Sequence, residues 1–510
     1  MSGALTTPHP LATKAGLAVL RQGGTAPEAL IAAGAVLTVV MPHFCGLGGD
    51  AVWLVADRKG QARSFLAIGQ GVSRPMPASP LPLRGAGSIL TTAAVVDGWH
   101  HAHEHARQHL GGRMVWGDLL APAIAAAENG YDVTPSQAFW ADYRAGEIEN
   151  WPGFEGLFLH KGRSVPAGQR LRQPGLAHAL NEIASEGAQA FYTGALSRRI
   201  VEGLTDAGAV ISAEDLVRTT TREVFPLSQR YRGVALLAPP PPTQGLTTLQ
   251  IMGILQRYDL QSLEVGSANH LHLCVEAVKR AFLDRPAIAD SGEKDLAQSL
   301  LDPAHLDQLA AGISQDQAMP WPHLWQHGDT VYLGAIDDQG NAASVLQSTY
   351  FDWGSGVVAG DTGILWQNRG AAFSSDARHP NTFAPGKLPF YTLNPGIALR
   401  DGTPAFVYGT QGADGQPQTL AMLLTRLIDF SQDPETALAA PRFLLGRTFS
   451  DQRDSLKIEA HAGEAVIAAL AAKSHEICPI SALSPLAGLA GIVTAKAGFQ
   501  DPRGSIKLTE

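Results

Sequence analysis

The sequence predicts an α+β protein in which a mixed sheet is layered by helices. Three observations carry this expectation. Strand-like segments flank a turn within 51–68, helical periodicity dominates from about 97 to 222, and a second strand–turn–strand unit begins abruptly at Thr330. With 510 residues, 45% of them apolar and 17% charged, the chain can form two or three ordinary domains or one large body with a substantial core.

The elements follow in chain order. Residues 10–22 and 27–40 read as helices separated by the Gly23-Gly24 turn. The Gly-rich segment Cys45-Gly-Leu-Gly-Gly-Asp50 lacks the Lys-Ser/Thr ending of a P-loop and the spacing of a dinucleotide fingerprint, so it is expected to be a tight packing turn. Strands at 51–57 and 62–68 flank Arg58-Lys-Gly60, and a helix at 116–128 ends on Asn129-Gly130. Pro239 to Pro242 form a rigid run before a helical stretch that reaches about Gln256. Residues 313–329 are polar, with proline and tryptophan, and read as an exposed loop. Strands at 330–337 and 342–350 then surround the turn Asp338-Gln-Gly-Asn341, with a further strand at 404–409 and a helix from about Gln418 to Phe430.

The formal charge of −9 provides no basic footprint for nucleic acid or an anionic membrane. Three distant cysteines, Cys45, Cys274 and Cys478, do not make a disulfide framework and suit a reducing compartment. The first residues lack a basic segment followed by an apolar one, and the longest apolar stretch, 29–41, is too short to span a bilayer. A cytoplasmic enzyme is the expectation.

Three patterns could carry chemistry. Thr330 stands where a polar loop meets a strand, an ordinary place for a β-branched residue but also one that a nucleophile could occupy. Gly409-Thr-Gln-Gly-Ala-Asp-Gly-Gln-Pro-Gln418 is a strand end turning into a helix, where consecutive backbone N–H groups can hold an oxyanion. His101-Ala-His-Glu104-His105 formally matches H-x-x-E-H, which puts both histidines on one helix face and raises a zinc hydrolase as an alternative; no distant third ligand stands out.

Taken together, the segments resemble the gamma-glutamyltranspeptidase family, in order and over nearly the whole chain. The resemblance runs through His9-Pro-Leu-Ala-Thr-Lys-Ala-Gly16, Pro42-His-Phe-Cys-Gly-Leu-Gly-Gly49, Pro239-Pro-Pro-Pro-Thr-Gln-Gly245, His272-Leu-Cys-Val-Glu-Ala-Val-Lys279, Asp329-Thr330, Asp338-Gln-Gly-Asn341, Gly354-Ser-Gly-Val-Val358 and Ala440-Pro-Arg-Phe443. It implies a four-layer αββα sandwich of the N-terminal-nucleophile hydrolase type, made as an inactive precursor. The precursor is cut between Asp329 and Thr330 into a large chain, 1–329, and a small chain, 330–510, which stay associated as one body, alone or as a dimer of heterodimers. It also implies that Thr330 is the nucleophile and, through its freed amino group, the base, with the N–H groups of Gly412 and Ala413 as oxyanion hole. The family usually has two glycines there; Ala413 is tolerated if its φ stays negative. No cofactor or metal is implied.

The departures bear on substrate. Where the family's glutamyl clamp has an Arg-Glu pair, an acidic residue, a serine pair and an asparagine, this chain has Gly69-Gln70, Ala372, Tyr391-Thr392 and Tyr350. Against these losses Arg369, in Gln-Asn-Arg-Gly, brings a planar fork suited to a carboxylate, or to a structural ion pair. Arg369, Ser348, Tyr350, Tyr391 and Thr392 are the substrate-binding set the resemblance implies. Gln367-Asn-Arg-Gly370 and the loop at 409–418 are similar to an amidohydrolase-like branch that includes oxamate amidohydrolase and some cephalosporin acylases. The expected substrate is a small carboxylate-bearing amide such as oxamate. A glutathione-type γ-glutamyl hydrolase is the alternative, and a non-catalytic relative the third.

Overall fold

The protein is described from a computed structural model, which covers residues 3–74, 81–292, 295–322, 328–448 and 451–505. Two six-stranded sheets dominate it. The first runs in the spatial order Ala4–Thr6, Asp329–Ile336, Ala342–Tyr350, Asp50–Ala56, Ala62–Ala67, Arg222–Val224, and the second in the order Gly498–Gln500, Ala490–Thr494, Thr403–Thr410, Gly396–Arg400, Val234–Ala238, Leu227–Tyr231. Every pairing within these two sheets is antiparallel.

Side-chain alternation turns the two sheets into four layers. In Asp50–Ala56 all residues are buried, yet Trp53 and Val55 pack with the helices Pro10–Arg21, Ala26–Val40, Val95–His109, Trp116–Asn129 and Pro174–Glu186, while Val52, Leu54 and Ala56 face the other sheet. The second sheet is covered on its outer side by Gly245–Leu255, Ala268–Asp284, Pro303–Ala311 and Gln416–Ile428. The result is the expected αββα sandwich. A strand buried on both faces reads as a continuous apolar run, as the 51–57 segment does.

Helix Ala26–Val40 is buried along its entire length and opens with a capping box, Thr25 with Glu28. A Cβ on Gly34 would lie 2.5 Å from the buried Gln347 amide, so a larger residue in this helix would have to displace that side chain. Between about 97 and 222 the chain is helical apart from short two-residue ladders at 131–132 with 170–171 and 159–160 with 163–164. The Gly-rich loop is the packing turn expected: a Cβ on Gly48 would lie 2.4 Å from the Leu365 carbonyl oxygen. Segments before and after residue 329 contribute strands to both sheets. Among the described residues no helix is long and apolar enough to cross a membrane.

Candidate active site

Alternation along Asp329–Ile336 sends Val331, Leu333 and Ala335 to the helices and Tyr332 toward the opposing sheet, and Thr330 shares the parity of Tyr332. Thr330 is 1% exposed. The ladder to Ala342–Tyr350 is irregular here. Asp329 pairs with Tyr350 but Val331 with Gln347, so two residues, Ser348 and Thr349, stand opposite the single Thr330. Such a bulge re-aims a side chain. Ser348 uses it to donate its hydroxyl to the carbonyl oxygen of Asp329 at 2.5 Å, and accepts the N–H of Tyr350 at 2.8 Å. The carbonyl that Ser348 holds belongs to the peptide bond preceding Thr330.

Across from this bond lies the loop after Thr403–Thr410. Gly412 has φ +108° and Ala413 +43°, so the sequence-based condition that Ala413 keep a negative φ is not met. An alanine there carries about 1–2 kcal/mol of left-handed strain. Neither the Gly412 nor the Ala413 N–H donates to another described residue. A Cβ on Gly328 would approach Ala413 Cβ at 3.1 Å and Tyr350 Cδ2 at 3.4 Å, so the uncut chain runs directly against this loop. Gln244, from the Pro-rich motif, fixes the loop by donating its amide to the carbonyls of Ala413 at 2.7 Å and Thr392 at 2.5 Å. Arg285 supports Gln244 Oε1 at 3.2 Å and forms a buried ion pair with Asp414. The Pro239–Gly245 motif was visible in the sequence; this bracing role was not.

On the other side, Asp352 accepts from Arg144 at 2.7 and 2.9 Å and from Arg84 at 3.0 Å. Burial works against its ionisation, but these hydrogen bonds and charges hold its carboxyl below the usual range. Burial, and then the charge of Asp352, push the neighbouring Asp329 carboxyl up to about 8, with Arg144 and Arg84 pulling it back. These residues and Gly328, Asp329 and Gly412 line a cavity of about 1130 Å³. No sequence signal linked Arg84, Arg144 and Asp352, because they come from three distant segments.

Arg369 is 1% exposed, and its guanidinium lies between two aromatic rings, 3.7 Å from the Tyr350 centroid and 3.6 Å from that of Tyr391. All three of its side-chain nitrogens are buried without a hydrogen-bond partner among the described residues. A structural ion pair is thus not its role here. Tyr391 is anchored, donating its hydroxyl to Asp50 at 3.0 Å, while Asp50 also accepts the N–H groups of Gly69 and Ala94. Burial raises the Asp50 carboxyl to about 6. The clamp positions are closed to their usual occupants: a Cβ on Gly69 would lie 1.9 Å from the Thr92 carbonyl oxygen, and Gln70 is tied to Asp215 and Thr92. Thr392 is buried.

The histidine helix does not assemble a metal site. His101 Nδ1 is engaged by Asp97, Glu104 pairs with Arg107 at 3.6 Å, and His105 packs edge-on against Phe65 and at a tilt against His109. Another trio, His272, Glu276 and His475, does converge. Its carboxylate is already neutralised by the Lys279 ammonium at 2.7 Å and capped by the Met319 N–H, which suits a polar joint rather than a cation.

Two face-to-face antiparallel sheets, helices on both outer sides and a strand-edge threonine whose preceding residues run against the 412–413 loop fit an N-terminal-nucleophile hydrolase fold. The chain belongs to the gamma-glutamyltranspeptidase family, whose family model matches residues 12–507. It is a hydrolase acting on C–N amide bonds. It is similar to the oxamate amidohydrolase proenzyme of Klebsiella pneumoniae subsp. pneumoniae, 41% identical over 99% of this chain and 97% of the relative. It is also similar to the glutathione hydrolase-like YwrD proenzyme of Bacillus subtilis, 37% identical over 98% and 97%. The crystal structure of cephalosporin acylase from Bacillus halodurans superposes with a TM-score of 0.89 at 30% identity, covering 98% of this chain and 94% of that one.

Proposed function

We propose that the chain is a zymogen that cuts itself at the Asp329–Thr330 bond, and that the freed Thr330 hydrolyses a small carboxylate-bearing amide, with oxamate the leading case. The observation that carries the substrate class is Arg369, a buried guanidinium with no hydrogen-bond partner among the described residues, stacked on Tyr350, which pairs with Asp329. A buried unpaired charge costs several kcal/mol unless something compensates it, and a substrate carboxylate does so. The absent glutamyl clamp and the Klebsiella relative support the same reading.

In the first step the Thr330 hydroxyl attacks the Asp329 carbonyl carbon, and the developing oxyanion is held by the Ser348 hydroxyl. The C–N bond breaks as the hydroxyl proton passes to the leaving nitrogen, so the amide becomes an ester on the Thr330 oxygen with the Thr330 amino group freed. Water then cleaves that ester, releasing the Asp329 α-carboxylate and restoring the Thr330 hydroxyl. An α-amino group has an unperturbed pKa of about 7.7–8.0, so part of it is unprotonated at neutral pH and can take the hydroxyl proton. In turnover Thr330 attacks the substrate amide, the N–H groups of Gly412 and Ala413 hold the oxyanion, and ammonia departs. Water then frees the acid from the ester. Backbone donors with no acceptor among the described residues are suited to this role.

The two chains, 1–329 and 330–510, stay together on this reading because each contributes strands to both sheets. A cytoplasmic location is supported by three free cysteines, two of them buried. The second reading, a glutathione-type γ-glutamyl hydrolase, is favoured by the name of the Bacillus subtilis relative. Purified, processed enzyme tested with oxamate and a γ-glutamyl anilide separates them. Ammonia from oxamate supports the first; efficient anilide turnover without ammonia from oxamate refutes it.

A further inference from the structure

The two rings that sandwich Arg369 are held very differently. Tyr391 is tethered through its hydroxyl to buried Asp50 and through its backbone to both sides of the Pro-rich turn, its N–H to Pro242 and its carbonyl to Gln244. The Tyr350 hydroxyl has no hydrogen-bond partner among the described residues, and its backbone stands at φ +82°, a left-handed conformation that a tyrosine rarely adopts. Its N–H donates to Ser348 and its ring packs on Arg369 and Phe351, and two further contacts come from the segment opposite. It pairs with Asp329 across the bulge, and its ring edge lies against Gly328. Both partners belong to the segment immediately before the bond to be cut.

We infer that Tyr350 is a lid over a carboxylate-binding site at Arg369, held shut by residues 328–329 of the uncut chain and released when that segment is freed. The inference rests on the reading of Arg369 given above and goes beyond it, because it makes ligand access, as well as nucleophile formation, depend on cleavage. With Tyr350 and Tyr391 both in place the guanidinium is covered on its two faces and almost fully buried. Cutting the 329–330 bond removes the strand partner of Tyr350 and the neighbour of its ring, leaving a strained backbone free to relax. Tyr391, anchored at Asp50, remains as the fixed wall of the site. The ligand class is a small planar carboxylate able to meet the fork of the guanidinium edge-on.

Oxalate, the product of oxamate hydrolysis, is the probe, with binding followed by calorimetry. Processed wild type is expected to bind it, and the uncut Thr330→Ala chain to bind at least about 10-fold more weakly, the loss of roughly one charge-assisted contact. In the Thr330→Ala background, Tyr350→Gly removes the ring and suits the positive φ, and is expected to restore binding. Tyr350→Phe keeps the lid, and adding Arg369→Gln to Tyr350→Gly abolishes the restored binding. Equal oxalate affinity of processed and uncut protein overturns the lid alone. Absence of binding to the processed enzyme overturns instead the assignment of Arg369 to a carboxylate. Labelling of Arg369 by phenylglyoxal, mapped by mass spectrometry in wild type and Thr330→Ala, reads the same opening without any change at Tyr350; equal labelling in the two forms contradicts it.

Discussion

Replacing Ser348 by alanine tests the geometry of self-cleavage most sharply. At the bulge opposite Thr330 Ser348 donates a 2.5 Å hydrogen bond to the carbonyl oxygen of Asp329. On the proposed mechanism that oxygen gains negative charge as Thr330 attacks, so the bond would strengthen in the transition state. Removing one such donor from an oxyanion site typically costs about 2.7–4 kcal/mol, or roughly 10²–10³ in rate. Some of the loss falls on the folded precursor too, since the Tyr350 N–H loses its acceptor, worth about 1 kcal/mol. Freshly purified Ser348→Ala should therefore accumulate as full-length chain, with cleavage slowed about 100-fold in a gel time course and a melting temperature lowered by only a few degrees. Ser348→Thr, which keeps a hydroxyl, should cut much faster than the alanine variant. Cleavage of Ser348→Ala at the wild-type rate would show that the bulge does not aim this hydroxyl at the reacting carbonyl.

Arg369→Met should lower kcat/KM for oxamate by about 10–100-fold, the loss of a charge-assisted hydrogen bond, without lowering thermal stability, since it removes a buried cation lacking a hydrogen-bond partner among the described residues; a destabilised protein with unchanged kcat/KM would make the arginine structural. Asp329 has a carboxyl raised from 3.8 to about 8, so folding of the uncut Thr330→Ala chain favours its protonated form, and this residue's contribution to stability falls as pH rises from about 4 to about 8. Adding Asp329→Asn should remove that component of the slope in denaturant titrations across this range; identical slopes would contradict the shift. Ala413→Gly relieves the positive φ but loosens the unfolded chain, so activity should persist with stability changed by no more than about 1 kcal/mol in urea unfolding; loss of activity would mean the alanine methyl itself positions substrate.

Much of the architecture was legible because periodicity reports which face of an element is buried. The runs at 51–57 and 342–350, the buried helix at 26–40 and the loop at 409–418 all follow from that signal. The fourfold layering was not legible from periodicity, since a strand buried on both faces does not say what covers each face; the family resemblance supplied it. Thr330 could be singled out, but not the bulge beside it, because an extra residue on one strand leaves no pattern in composition. Arg369 was visible as a gained charge, yet its isolation depends on Tyr350 and Tyr391, brought together only by the fold. The left-handed Ala413 was missed for a related reason: a positive φ outside glycine is set by the tertiary fit of the loop, here against Gly328 and Gln244.

The central claim is that the chain cuts itself before Thr330 and that this threonine does the cutting. Intact mass and N-terminal sequencing of purified wild type beside Thr330→Ala test it directly. Two wild-type chains are expected, 1–329 and 330–510, the smaller beginning Thr-Val-Tyr-Leu, and a single uncut chain for the variant. An uncut but active wild type, or a Thr330→Ala chain that is still cleaved at this bond, would contradict it.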